Sequence, residues 1–141
     1  MNFVYWVSTI LLVLLYLASA TTYLLKTEWV RDQIKGLGYP PYLVFPLVTV
    51  KLAAVILIGS RFNVILTDLV YAGMFFHMIL AISAHCGNRN WKDAIPATAG
   101  LILVLISFST QNYARTPASP NSVEATSILS TSGEFHEQTQ E

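Results

Sequence analysis

Lys51 stands in the middle of an otherwise apolar stretch, YLVFPLVTVKLAAVILIGS, at residues 42–60. That stretch is close to the roughly 20 residues a helix needs to cross the hydrocarbon of a bilayer. A lysine at the centre of such a span costs about 2.5–3.5 kcal/mol on insertion scales, so something must offset the charge or make use of it. Two readings follow. In the first, the side chain points back toward the start of its helix. It then snorkels to the interface, where Thr22, Thr98 or a tyrosine hydroxyl could receive it. In the second, Lys51 is a buried cation or proton donor facing a cavity between helices.

His77, in the next apolar stretch, is the natural companion. Counting helical rise from the turn at residues 61–63 puts the two at similar depth on adjacent antiparallel helices. Two cations there would repel, so His77 is expected to be neutral and to accept a hydrogen bond from the ammonium. A histidine bonded simply to a neighbouring helix is the alternative.

Asp68, His85 and Tyr71 are weaker candidates. Asp68 and His85 lie about 25 Å apart along one helix and cannot share a site. Asp68 falls half a turn out of phase with His77. It reads as an interfacial carboxylate near Arg61, and His85 as a boundary residue. Tyr71, Ala72 and Gly73, with Phe75 and Phe76 beside them, read mainly as packing; the alternative is an aromatic wall for a quinone. No ligand pair at i,i+4 spacing is legible, so no metal site is expected. No Ser-His-Asp arrangement, phosphate loop or haem-type cysteine motif stands out either. Cys86 is the one cysteine. It can form no internal disulfide, and a lone interfacial thiol is usually inert.

The elements that must hold these residues follow from hydropathy. Apolar runs at residues 3–25, 42–60, 64–84 and 94–113 give four spans. The first also mimics a secretory signal ending at Ala18-Ser19-Ala20. It is long for a signal core and has no Lys or Arg before it, so it reads as a retained span. Tyr5, Trp6 and Tyr23 near its ends suit an interfacial aromatic belt. Between the first two spans, Thr27 can cap a short helix with Glu28 in its first turn. Trp29, Val30, Ile34 and Leu37 form its apolar stripe, suited to lying on the membrane surface. Gly36, Gly38 and Pro40-Pro41 end it. Pro46 makes the second span either start properly there or bend. Pro96 is acceptable in the first turn of the fourth.

Composition agrees. The 141 residues are 54% hydrophobic and only 11% charged, against roughly 25% in a soluble domain, and formal net charge is zero. Zero net charge gives no general attraction to nucleic acid. After Ala114 the chain turns rich in Ser, Thr, Pro and Glu, so residues 114–141 are expected to be a disordered tail. The fold class is therefore all-α: a membrane four-helix bundle with a short interfacial helix in the first loop. Lys26, Arg31, Lys35, Arg89 and Lys92 lie on one side, against Arg61 and Arg115 on the other. The basic excess marks the cytoplasmic side, which places both termini outside.

The stretches LGYPPYLVFPLVTVKLAAVILIGSRF and DLVYAGMFFHMILAISAH resemble the DoxX-like family of small four-helix membrane proteins. The shared features are the proline-tyrosine lead-in, the Pro46-Leu47 step, Lys51 in the second span, and the Tyr71-Ala72-Gly73 step. The likeness covers residues 3–113 and leaves out the tail. The chain departs from the pattern at Val48 and Ala54, where relatives often carry glycine, and at Leu69, where they often carry tryptophan. His77 is not part of the pattern, so any role for it rests on this chain alone. The family is named for a membrane subunit associated with thiosulfate:quinone oxidoreduction, and many members have no assigned activity.

Three functions are compatible with these observations. One is a membrane subunit or anchor for quinone-linked redox chemistry, working with a soluble redox partner. The second is a small proton- or anion-coupled carrier, as a homo-oligomer. The third is a non-catalytic scaffold that docks a soluble protein through its loops or tail. No cofactor ligands are legible, so a self-contained enzyme is not favoured; a quinone is the cofactor the resemblance allows.

Overall fold

The computed structural model describes residues 2–115 and 118–121. Among them there are helices and turns and no strand. Five α-helices follow in chain order: α1 Asn2–Leu25, α2 Thr27–Gly36, α3 Val44–Ser60, α4 Val64–Gly87 and α5 Trp91–Thr110. Short 3-10 turns, Pro41–Leu43 and Gln111–Ala114, precede α3 and follow α5. Four segments are long and apolar enough to cross a membrane: Asn2–Leu25, Pro41–Ser60, Val64–Gly87 and Trp91–Ala114. The rest of the expected tail, residues 116, 117 and 122–141, lies outside the described residues.

The four long helices form a ring in the order α3, α1, α5, α4. Contact is most extensive along α4–α5 and α1–α5, and sparsest along α3–α4. The core is a column of Leu12, Tyr16, Ala54, Ile58, Tyr71, Met74, Met78 and Val104. Large apolar side chains such as Phe3, Val50, Ile65 and Leu69 point outward. In water that surface would aggregate; in a bilayer it meets lipid tails. Val48 and Ala54 are both buried, so α3 packs closely with the larger side chains in place.

Small polar contacts fix the packing. The hydroxyls of Thr9, Ser107 and Tyr71 form a chain across α1, α5 and α4, with both links at 2.7 Å. With no water to compete, such a chain satisfies three buried polar groups and fixes helix register. Gly100 lets α5 come close to its neighbours. A Cβ there would lie 2.9 Å from Met78 Sδ and 3.0 Å from a Leu15 methyl.

The ends of the helices differ from the sequence expectation in instructive ways. Thr27 does not cap α2. Its hydroxyl donates back to the carbonyls of Tyr23 and Leu24, because only Lys26 interrupts the run from α1 into α2. The Val30 amide bonds to the Lys26 carbonyl, so the two helices are nearly continuous. On α2, Val30 and Ile34 pack against Val44, Tyr23 and Leu47, whereas Trp29 faces away from the protein. Pro46 falls in the first turn of α3, where its missing amide leaves no intrahelical bond unmade. The α3–α4 turn places Arg61 in the left-handed region, at φ 52°. Its guanidinium donates to the Ala114 carbonyl and lies 5.8 Å from the Tyr5 ring and 5.5 Å from that of Trp6. Those contacts oppose the roughly 1–2 kcal/mol cost of the left-handed backbone. Asn63 then caps α4, accepting from the amides of Ile65 and Leu66.

The close approach at Gly100 predicts an overpacking penalty. Gly100→Leu should lower the thermal unfolding temperature in detergent, at about 1–3 kcal/mol. Gly59→Leu, where a Cβ meets nothing within 4 Å, should leave it unchanged or raise it.

Candidate functional site

Lys51 reaches no interface. It is only 5% exposed, and its Nζ lies 3.1 Å from His77 Nε2. The short turn between α3 and α4 makes them antiparallel neighbours and brings the two residues to one level, as their depths along the helices require. Two aromatic rings complete the surroundings: Nζ is 5.1 Å from the Tyr16 centroid and 5.3 Å from that of Tyr23. The hydroxyls of Thr22 and Thr98 do not take part. They are bonded to the Ala18 and Ala94 carbonyls of their own helices. The ammonium is thus held by one nitrogen acceptor and two π faces, each desolvated face worth up to about 2 kcal/mol.

The chemistry of the pair follows from its atoms. Either the ammonium donates to an imidazole that carries its own proton on Nδ1, or a neutral amine accepts from an Nε2–H. The two nitrogens share one bridging proton, and a second positive charge at 3.1 Å would be strongly repelled. Such a pair can hand a proton on and receive one back.

Two hollows meet at this pair. One, of about 250 Å³, lies along the α3–α4 seam, lined by Leu47, Val50, Leu69, Val70 and Gly73 with Lys51 and His77 at its inner end. Val50 and Leu69 are largely exposed on the bundle's outer surface, so this groove opens sideways to lipid. The other, of about 180 Å³, is lined by Ser19, Tyr23, Lys51, His77, His85 and Asp93 among others. Tyr16 lines both, and its hydroxyl is buried with no hydrogen-bond partner among the described residues.

The remaining sequence candidates fall elsewhere. Tyr71 is buried in the hydroxyl chain of the core and packs edge-on against Phe108, with ring centroids 5.6 Å apart. Asp68 is at the opposite end of the bundle, and its partner is not Arg61, which turns to Ala114 and the α1 aromatics. Asp68 accepts from Gln111 Nε2 at 3.1 Å, from the Ser119 hydroxyl, and from Asn121 Nδ2 at 2.8 Å. Arg115 braces the same cluster through Gln111 and Thr67. His85 lines the second hollow, two turns from His77 on the same face of α4. Cys86 is half-buried and free. No group of three or more potential metal ligands occurs among the described residues.

Tyr16 and Tyr23 are the site residues that sequence reasoning missed. Tyr5 and Tyr23 do not form an outer belt: each ring lies against a cation, Arg61 for Tyr5 and Lys51 for Tyr23. The signal was present: Tyr16 and Tyr23 are seven residues apart, two turns along one face of α1. Asp68 kept company with residues beyond α5, which no helical spacing could reveal.

The asymmetry of the pair makes a stability prediction. Lys51→Met removes a buried charge and should melt in detergent at or above the wild-type temperature. His77→Leu leaves the ammonium without its acceptor and should destabilise by about 1–3 kcal/mol.

Among known proteins, no curated protein and no solved structure matches the chain. A family description does match, over residues 7–108, and it takes in α1 through most of α5, with Lys51, His77 and both hollows inside it. The chain is a multi-pass membrane protein, and it belongs to the DoxX-like family.

Proposed function

We propose that the α3–α4 groove receives the headgroup of a membrane-soluble quinone, and that the protein is the membrane subunit of a quinone-linked redox system. The observation that carries this reading is the placement of a buried ammonium at the inner end of an apolar groove that opens to lipid. At about 250 Å³ the groove is smaller than the roughly 300–1,000 Å³ of sites that enclose a whole drug-sized ligand. It suits a single ring whose isoprenoid tail stays in the bilayer. Its walls are mainly aliphatic, so the polar end of the guest would be oriented by Lys51 and His77, with Tyr16 in the same lining.

When bound, the quinone would supply two-electron redox chemistry, with a soluble redox partner as the electron donor. Lys51 Nζ would donate to a carbonyl oxygen and stabilise the negative charge that arrives there. A proton taken up from water by His77 would then be passed to the Lys51 amine, restoring the pair. The tight packing of Tyr16 and Tyr23 about the ammonium would keep its position fixed before the guest arrives, so little ordering remains to be done. With the basic loops cytoplasmic, both termini lie outside and the redox partner meets the face formed by α2 and the α4–α5 loop.

A second reading, a small proton- or anion-coupled carrier, draws support from the two hollows meeting at one cation. It differs in needing passage from one hollow to the other past the Lys51–His77 pair.

Titration of purified protein with a short-tailed ubiquinone or menaquinone analogue tests the first reading. Lys51→Met should weaken binding at least about tenfold, the loss expected for one charge-assisted hydrogen bond. Gly73→Leu should abolish it by filling the groove, and Gly59→Leu should leave it unchanged. Equal binding by wild type and Lys51→Met would exclude the site as described.

A further inference from the structure

The second hollow serves no purpose in holding a headgroup that comes from the lipid side. It lies among α1, α3, α4 and α5 and runs from the Lys51–His77 pair to His85 and Asp93, at the end of the bundle where the basic loops emerge. Its floor along α4 is His77, Ala81 and His85, which recur every four residues and so share one face. The two imidazoles are separated by about 12 Å along the axis, too far for direct transfer. Ala81, between them, is small enough to leave the space open. The hollow holds about 180 Å³, room for several waters at roughly 30 Å³ each. Tyr16, on its wall, has a buried hydroxyl that no described residue satisfies, a group that ordered water would serve. The imidazole of His85 has no hydrogen-bond partner among the described residues, and the Asp93 carboxylate beside the hollow accepts from Asn90.

The geometry points to a hydrated proton path from the basic-loop face to the Lys51–His77 pair, with His85 as its relay. Every titratable group facing the hollow belongs to it or bounds it: Tyr16 and Tyr23 on α1, Lys51 on α3, His77 and His85 on α4, and Asp93 on α5. Protons would enter at Asp93 and His85, cross the water beside Ala81 and recharge the pair. This rests on the reading of Lys51 and His77 as a proton-handling pair, and makes the groove the lipid side and the hollow the water side of one site.

The test uses full-length protein in liposomes with Cys86→Ser as background and no quinone present. An anionic methanethiosulfonate reagent should label Ala81→Cys from the basic-loop face, and at least tenfold more slowly from the other. Leu80→Cys, on the lipid-facing side of the same helix, should react only at background. Labelling of Ala81→Cys at the Leu80→Cys rate would overturn the hydrated path. The relay is read separately, by deuterium exchange at the His77 ring N–H followed by NMR. His85→Gln should slow that exchange at least tenfold while Ala81→Cys in the same background is still labelled; unchanged exchange would overturn the role of His85. Because neither measurement needs a quinone, failure of quinone binding with both results positive would remove the headgroup reading and leave the path standing.

Discussion

A single ammonium midway along a membrane span dictates the middle of this bundle. It cannot be left to lipid, and at 5% exposure it does not escape to water. The chain answers with three side chains from two other helices: His77 from α4, and Tyr16 and Tyr23 from α1. Those contacts tie α3 to helices on either side of it, including across the seam where α3 and α4 otherwise touch least. The arrangement therefore fixes how α3 sits against both of its neighbours. A hydrophobic residue in place of Lys51 would need none of these partners.

The opposite end of the bundle is organised differently. There the polar groups satisfy one another: Asp68 with Gln111, Ser119 and Asn121, Arg115 with Gln111 and Thr67, and Arg61 with the Ala114 carbonyl. Between the two ends, the Thr9–Ser107–Tyr71 hydroxyls fix the register of three helices. The polar groups at the Asp68 end are thus paired with one another, whereas the Tyr16 hydroxyl beside Lys51 is buried with no partner among the described residues.

Much of this is legible in the sequence. Span number, the surface helix and the chain order follow from run length and hydropathy, because the hydrocarbon thickness sets a length that sequence can be measured against. The spacing of Lys51 and His77 from a three-residue turn fixes their relative depth by helical rise alone. What was not legible depends on rotation and on distant partners. Depth says nothing about which way Tyr5 and Tyr23 face, and hydrophobic periodicity is weak in helices that are apolar all round. Thr27 looked like a cap because Thr followed by Glu so often is one. The nearly unbroken passage from α1 gave its hydroxyl nearer carbonyls to bond. Asp68 looked close to Arg61 in the chain, but its partners come from residues 111, 119 and 121, far along the sequence.

The sideways opening between Val50 and Leu69 has a consequence for how occupancy is governed. A guest arriving through that flank never passes the aqueous phase, so its relevant abundance is a mole fraction among lipids, not a molarity. Long-tailed guests partition almost wholly into the leaflet, and even a weak intrinsic affinity can keep such a groove filled. Dilution of the surrounding lipid with detergent would empty it without altering a single protein contact.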